Sequence, residues 1–415
     1  MTTKALSCYA TAMTGVSLAT VGALLLVACL IAMLSRRLGL PYIVGLVVAG
    51  FLIAMLPNSP QVPLSRDLVF NILLPPLVFE AALQLEWKRF RAELPLTLTL
   101  AFFGVAIAAT VVAAGMHALV GWSWIGAALF GVLIAATDPV SVIASFREMG
   151  AQPRVSMVVE SESLLNDGVA AVGFAVVSAI AAGASPSAAG VIPAFLWTLG
   201  GGLAIGLATS AAILLVAGRT DDPLVEITLT TIAAYGSFLV AEHFHASGII
   251  SALAAGLMIG SAGTRFLSRS GRDRVHWAWE YFAFLANSLV FILIGMNVAS
   301  QPLRLLGPTV AIAIILVLAG RGLSVYPLSV LFRWSRWRLK PSFQHTLFWG
   351  GLRGALALAL ALAVPATVPE RNAIILTSFV VVAFSILVQG LTMPWLIKKL
   401  ELGRKRPVAA AAPAP

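Results

Sequence analysis

Charge is the scarcest property of this sequence. Of 415 residues, only 11% are Asp, Glu, Lys or Arg, against about 25% in a typical soluble domain. A globular enzyme needs polar residues to cover its surface, so the shortage excludes an ordinary soluble enzyme. Acids are scarcer than bases: 17 Asp and Glu stand against 27 Lys and Arg, for a net charge of +10. That excess does not make a nucleic-acid-binding face, because the bases fall in short clusters between apolar stretches and form no continuous stripe. The two cysteines, Cys8 and Cys29, cannot build a disulfide framework or a usual metal site. Cys29 lies inside the first apolar stretch and reads as a packing residue. No nucleotide-binding motif, cleavable signal peptide or appended soluble domain is evident, and no cofactor is expected.

What is abundant is apolar. Hydrophobic residues make up 60% of the chain, and the mean hydropathy is +0.96. A bilayer span takes about 20 apolar residues. The pattern reads as thirteen spans, at about 16–34, 41–57, 66–86, 94–118, 122–147, 154–183, 189–217, 224–244, 247–262, 277–299, 304–332, 342–364 and 371–397. This predicts an all-α polytopic membrane protein with one transport domain over 1–397. A basic, Ala/Pro-rich tail at 398–415 reads as disordered and cytoplasmic. The positive charges agree. Twenty-one Lys and Arg fall in loops after odd-numbered spans and in the tail, and four (Lys4, Arg66, Arg304, Arg371) on the other side. Basic loops stay in the cytoplasm, so the N-terminus is expected outside an inner cell membrane and the C-terminus inside.

Two bases belong to neither side. Arg321 and Arg353 lie in the middle of apolar spans, about 18 Å from Arg333 and from Pro341 respectively at 1.5 Å per residue. A charge at that depth is costly unless it is partnered or in a wet cavity, so both are functional candidates. Acids lie at matching depth. Thr137-Asp138-Pro139 interrupts the fifth span. Pro139 cannot continue an undisturbed helix, and Asp before Pro is the arrangement of an N-cap and first helical residue. The expected helix breaks at Thr137 and restarts at Pro139, with Asp138 at the new positive end. A kinked helix with a capping Asp is the plainer alternative. In the sixth span, Glu162 and Asn166 share one face and Ser163 and Asp167 another, while Glu162 and Asp167 stand about 140° apart. One acid can thus hold a partner helix while the other faces a cavity.

The twelfth span carries Gly350-Gly351-Leu352-Arg353-Gly354, dense enough in glycine to unwind. Paired interruptions in corresponding positions of two halves mark the site of an inverted-repeat transporter. Here the halves would be about 16–183 and 224–397, with 189–217 as a linker helix. Weaker polar features remain. Glu80 is too deep for an interfacial charge and reads as part of a structural salt bridge. Glu160 and Glu280 read as solvated, and His243 and His245 as interfacial. Trp122, Trp124 and Trp395 read as membrane-surface anchors.

Several of these segments resemble the sodium/proton exchangers of the monovalent cation:proton antiporter-1 family, NhaP-type in prokaryotes. They are Leu74 to Glu80, Ala136 to Val140, Glu162 to Gly168, Ser247 to Ile250, Gly320-Arg321 and Gly350 to Ala355. The resemblance implies a homodimer in which a core domain with two crossed broken helices moves against a dimerisation domain. It implies Asp167 as carrier carboxylate, with Asn166 in place of the second Asp of electrogenic relatives. Thr137, Ser163 and Asp138 are the further implied ligands of Na⁺, and Glu162 with Arg321 the implied structural ion pair. Arg353 matches the arginine of the second break.

The chemistry follows from the residues. One carboxylate that binds either Na⁺ or H⁺ makes the two compete. If the protein changes facing only when that Asp is neutralised, exchange is obligatory, and ion gradients drive it. The same ligands would serve K⁺. An intramembrane protease is the other class with deep acids, but the Gly-x-Gly-Asp of the aspartyl type is absent around Asp167.

Overall fold

The computed structural model describes residues 18–38, 41–57, 62, 64–149, 152–183, 188–299 and 307–402. Met1, Lys4, Cys8 and most of the expected tail lie outside them. The described chain is helical throughout. In order it forms α1 (Leu18–Leu38), α2 (Tyr42–Ala54), α3 (Leu74–Gln84), α4 (Trp87–Gly115), α5 (Trp124–Ala135), α6 (Val140–Met149), α7 (Pro153–Ala181) and α8 (Ala188–Ala217). It continues with α9 (Pro223–His243), α10 (Gly248–Phe266), α11 (Arg269–Ala299), α12 (Gly307–Leu331), α13 (Pro341–Trp349), α14 (Ala355–Leu362), α15 (Arg371–Phe384) and α16 (Leu391–Lys399). Among the described residues, nine helices are long and apolar enough to cross a membrane, and Tyr42–Ala54, Leu68–Gln84 and Trp124–Ala135 are shorter apolar ones.

Helix starts follow local chemistry. Ser123 accepts the Gly126 N–H at 3.1 Å to open α5. Asp222 accepts the Leu224 N–H at 2.9 Å ahead of Pro223 in α9. Ser247 caps α10 through Ile250 at 3.3 Å. Each satisfies a donor that has no partner inside the helix. Three short stretches are wound more loosely, as π-helix: Leu68–Leu73, Met116–Val120 and Ser385–Gly390. The last lies inside what the sequence suggests is one plain span at 371–397.

The helices sort into two bundles. α1 to α3 pack with α8 to α11, and α4 to α7 pack with α12 to α16. In lipid, apolar burial gives little drive to such packing, and close backbone approach replaces it. A Cβ at Gly50 in α2 would fall on the Ile292 backbone of α11, and one at Gly295 in α11 on the Val47 backbone. The outer surface is correspondingly apolar, with Leu26, Met33, Phe103, Ile192 and Ile315 exposed.

Two expectations fail here. Cys29 is exposed and does not pack inside the chain, because α1 presents most of its length outward. Trp122 is buried against Phe130, edge to face at 5.4 Å, so it is a core residue. Trp124 and Trp395 are exposed, as membrane-surface anchors would be.

Candidate functional site

Two interruptions meet at the seam between the bundles. The first leaves α5 after Ala135 and resumes at Val140, one residue later than the Pro139 restart read from the sequence. The second occupies Gly350 to Gly354, between α13 and α14. They are joined backbone to backbone, the Asp138 N–H donating to the Leu352 carbonyl at 2.8 Å. Glycine is what permits the crossing. A Cβ at Gly354 would fall on the Asp138 carboxylate, and one at Gly351 would lie 2.7 Å from Arg321 Nε.

Each break exposes helix ends whose backbone groups and partial charges need partners. The Asp138 carboxylate accepts the Val140 N–H at 3.0 Å, at the positive end of α6. The same carboxylate lies against Gly354, one residue before α14, where a Cβ would meet it. Arg353 Nη1 donates to the carbonyls of Ala135 at 2.8 Å and Ala136 at 3.1 Å, at the negative end of α5. Arg321 donates from Nε and Nη2 to the Leu347 carbonyl, at the negative end of α13. Gln389 donates to the Trp349 carbonyl at 3.2 Å in the same turn. Three of the four ends, those of α5, α6 and α13, are met in this way.

Arg321 has a second duty. Its guanidinium meets Glu162 in a two-pronged pair at 2.8 and 3.0 Å, with both side chains buried. Asn166, one turn along α7, donates to Glu162 at 3.1 Å and to Thr137 Oγ1 at 2.6 Å, and its oxygen accepts the Thr137 N–H at 3.2 Å. Ser163 donates to the Thr137 carbonyl and accepts from the Thr137 hydroxyl. Ser163 and Asn166 of α7 therefore clamp the first break.

Asp167 lies one turn along from Ser163 on the same helix. It shares a cavity of about 60 Å³ with Thr137, Asp138 and Asn287, closed on the α3 side by Leu77 and Val78. The volume suits one or a few water-sized species. Asp167 Oδ1 has no hydrogen-bond partner, and neither has Asn287 Oδ1 nor Arg353 Nε. Among the described residues no cluster of three or more His, Cys, Asp or Glu could hold a resident metal.

Of the residues singled out from sequence, Thr137, Asp138 and Asp167 come together at the cavity. Ser163 and Asn166 stand behind Thr137 and do not line it. Glu162 and Arg321 pair away from it, and Arg353 holds α5. Glu80 accepts from Gln84 one turn on in α3; it is not a lining residue, although Ala81 beside it is. Asn287 and Gln389 were not anticipated. The available signal was one of two amides inside the apolar run of α11, a weak one.

A polytopic helical membrane protein with two crossed helix breaks around a small cavity, and an incompletely bonded carboxylate within it, has the architecture of an ion-coupled carrier. The comparisons say which. Residues 23–399 match the sodium/hydrogen exchanger transmembrane family, and the chain belongs to that family. It is 37% identical to the Na(+)/H(+) antiporter NhaS2 of Synechocystis sp., over 93% of this chain and 71% of that one. It is 38% identical to the Na(+)/H(+) antiporter ApNhaP of Aphanothece halophytica, over 88% of this chain and 70% of that one. The solved structure of the sodium proton antiporter MjNhaP1 from Methanocaldococcus jannaschii shares the fold. Its TM-score is 0.74 at 19% identity, covering 94% of this chain and 99% of that one.

Proposed function

We propose that this chain exchanges Na⁺ for H⁺ across the inner cell membrane, one for one, with Asp167 as the shared site. The carrying observation is that Asp138, Glu162, Arg321 and Arg353 each hold a helix end or a partner charge. Asp138 is engaged at the N-terminus of α6, Glu162 and Arg321 are engaged with each other, and Arg353 is engaged at the end of α5. Asp167 retains an oxygen with no partner and faces the cavity. Protonated, it is neutral. Ionised, it needs a cation. Thr137 lies within the same wall and can add oxygen ligands to a dehydrated Na⁺, a set that suits a hard cation.

The cycle requires that the empty, ionised site not change facing. An uncompensated carboxylate at a seam in lipid is costly to move, so only the proton- or cation-loaded form crosses. Asn166 cannot titrate, which leaves one exchangeable charge and makes the exchange electroneutral. The committed charges allow this. The breaks keep their end charges neutralised whichever ion Asp167 carries. Thirteen spans in two inverted repeats around α8, an outer N-terminus, a cytoplasmic tail and a homodimer complete the proposal. The names of the relatives and the charge asymmetry of the loops support it.

The test is a cation panel in proteoliposomes containing the purified protein. Na⁺ and Li⁺ should each drive proton flux, and an imposed membrane potential should not change the initial rate. Flux driven by K⁺ alone would replace the cation. A rate rising steeply with potential would end the one-carboxylate mechanism.

A further inference from the structure

Asn287 stands across the seam from Asp167. It belongs to α11, in the bundle of α1 to α3 and α8 to α11, whereas Asp167 belongs to α7 in the other. The two line one cavity. Asn287 is 8% exposed, yet its side-chain oxygen has no hydrogen-bond partner. Its neighbours show that this is not general to the helix. Ser288 donates to the Phe284 carbonyl at 2.6 Å and is bonded to the Tyr42 hydroxyl, and Asn297 donates to the Leu293 carbonyl at 2.8 Å. A buried amide oxygen without a donor is unfavourable unless something else satisfies it. The wall of a cavity holding an ionised carboxylate offers a metal cation as that partner.

We propose that the Asn287 side-chain oxygen is a ligand of the transported cation, completing from α11 the oxygen set that Asp167 and Thr137 supply from the other bundle. This rests on the reading of Asp167 as the carrier. The ligand is neutral, so it adds affinity without altering the charge carried. It also distinguishes the two substrates. A small cation needs several oxygens around it, whereas a proton on Asp167 needs only that carboxylate. Asn287 therefore favours Na⁺ over H⁺ at a shared site. Because the ligand comes from the opposite bundle, it is in place only while the bundles stand as they do here. Movement of one against the other withdraws it and lowers cation affinity.

The experiment measures proton flux in proteoliposomes against Na⁺ and Li⁺ concentration for the full chain, Asn287→Ala, Asn287→Ser and Asn287→Asp, with Asp167→Asn as control. Asn287→Ala should raise the half-saturating Na⁺ concentration about tenfold, while the rate at saturating Na⁺ stays within roughly twofold, the signature of lost ground-state binding. Proton inhibition at low Na⁺ should extend to higher pH as Na⁺ competes less well. Asn287→Asp, which keeps an oxygen, should retain Na⁺ affinity. An unchanged half-saturation in Asn287→Ala overturns the proposal, and so does a parallel loss of rate, affinity and thermal stability, which would mark a packing residue. If the Ala variant does not fold, Asn287→Ser is judged by the same criteria. Exchange persisting in Asp167→Asn sinks the carrier reading itself. A dead Asp167→Asn beside an Asn287→Ala with normal affinity sinks only this inference.

Discussion

The two helix breaks lie against each other but are built from opposite materials. The first, Ala136 to Pro139, is made by a proline and carries an acid. The second, Gly350 to Gly354, is made by glycines and carries a base. Asp138 caps α6 within its own break, while Arg353 reaches across to close α5. The negative end of α13 is met by Arg321 from α12, itself held by Glu162 of α7. A broken helix at membrane depth persists only where its freed groups find partners in protein or water. Here the breaks supply much of that for each other. The difference between them teaches where the free chemistry lies: beside the breaks, on α7, at a residue that caps nothing.

The largest expected effect comes from the uncommitted residue. Asp167→Asn should abolish cation-driven proton flux while the detergent-purified protein keeps its elution profile and melts within a few degrees of the parent. Any measurable Na⁺-dependent flux in that variant would return the carrier role to Asp138 and dissolve the contrast between committed and free charge.

Next come the committed charges. Glu162→Gln or Arg321→Gln each leaves a buried partner unpaired and should cost about 3–5 kcal/mol. The double variant should cost clearly less than the two added together, read by chemical or thermal unfolding. Simple additivity would mean that the two groups do not act as a pair.

A smaller effect sharpens the glycine side of the comparison. Gly354→Ala places a methyl where the Asp138 carboxylate lies and should cost about 1–3 kcal/mol through forced displacement. Asp138→Asn in the same chain should not add to that loss in full, since both disturb one cap. A neutral Gly354→Ala would show that the close approach is dispensable.

The smallest effect lies away from the breaks. Glu370, at the start of α15, accepts the Ser123 N–H at 2.8 Å and the Ser123 hydroxyl at 3.0 Å, tying that loop to the first turn of α5. Partial burial pushes its carboxyl up, but the bonds from Ser123 and from the backbone outweigh this and hold it below the usual carboxylate value. A depressed folded value means that the stability is fully present above the unfolded pKa of about 4.3 and is lost as pH falls through the lower folded one. Glu370→Gln should cost about 0.5–1 kcal/mol near neutral pH, on the scale of a helix cap. The gap to the parent should close in strong acid. A gap that widens in acid would reverse the assignment.

Much of this was legible in the chain. Helices or broken helices occupy the described residues of the apolar stretches, because hydropathy is a local property and lipid enforces it. The breaks were legible for the same reason: a proline after Asp138 and three glycines within five residues disrupt a helix wherever it is placed. The angular separation of Glu162 and Asp167 on one helix already sent them to different neighbours. Other features were not legible. Cys29 read as packed and Trp122 as a membrane-surface anchor, and the structure reverses both, because exposure depends on which helices arrive beside them. Ser163 shares a helix face with Asp167, yet the first break comes close enough to engage it through Thr137 and take it off the cavity wall.

The sequence by itself determined the solvent, the helices, the depth of six charged residues and the two places where helices fail. These follow from composition and spacing within single segments. Only the tertiary structure decided which of those charges are free. Arg353 reaches Ala135 across 218 positions and Arg321 reaches Glu162 across 159, and no periodicity within a helix encodes such meetings. Asn287 is the clearest case. In the sequence it is one amide in an apolar run, and it joins the cavity because α11 lies against α3. Commitment of a buried charge or amide is a property of pairs brought together by packing, so the residue left without a partner could be identified only after the others had found theirs.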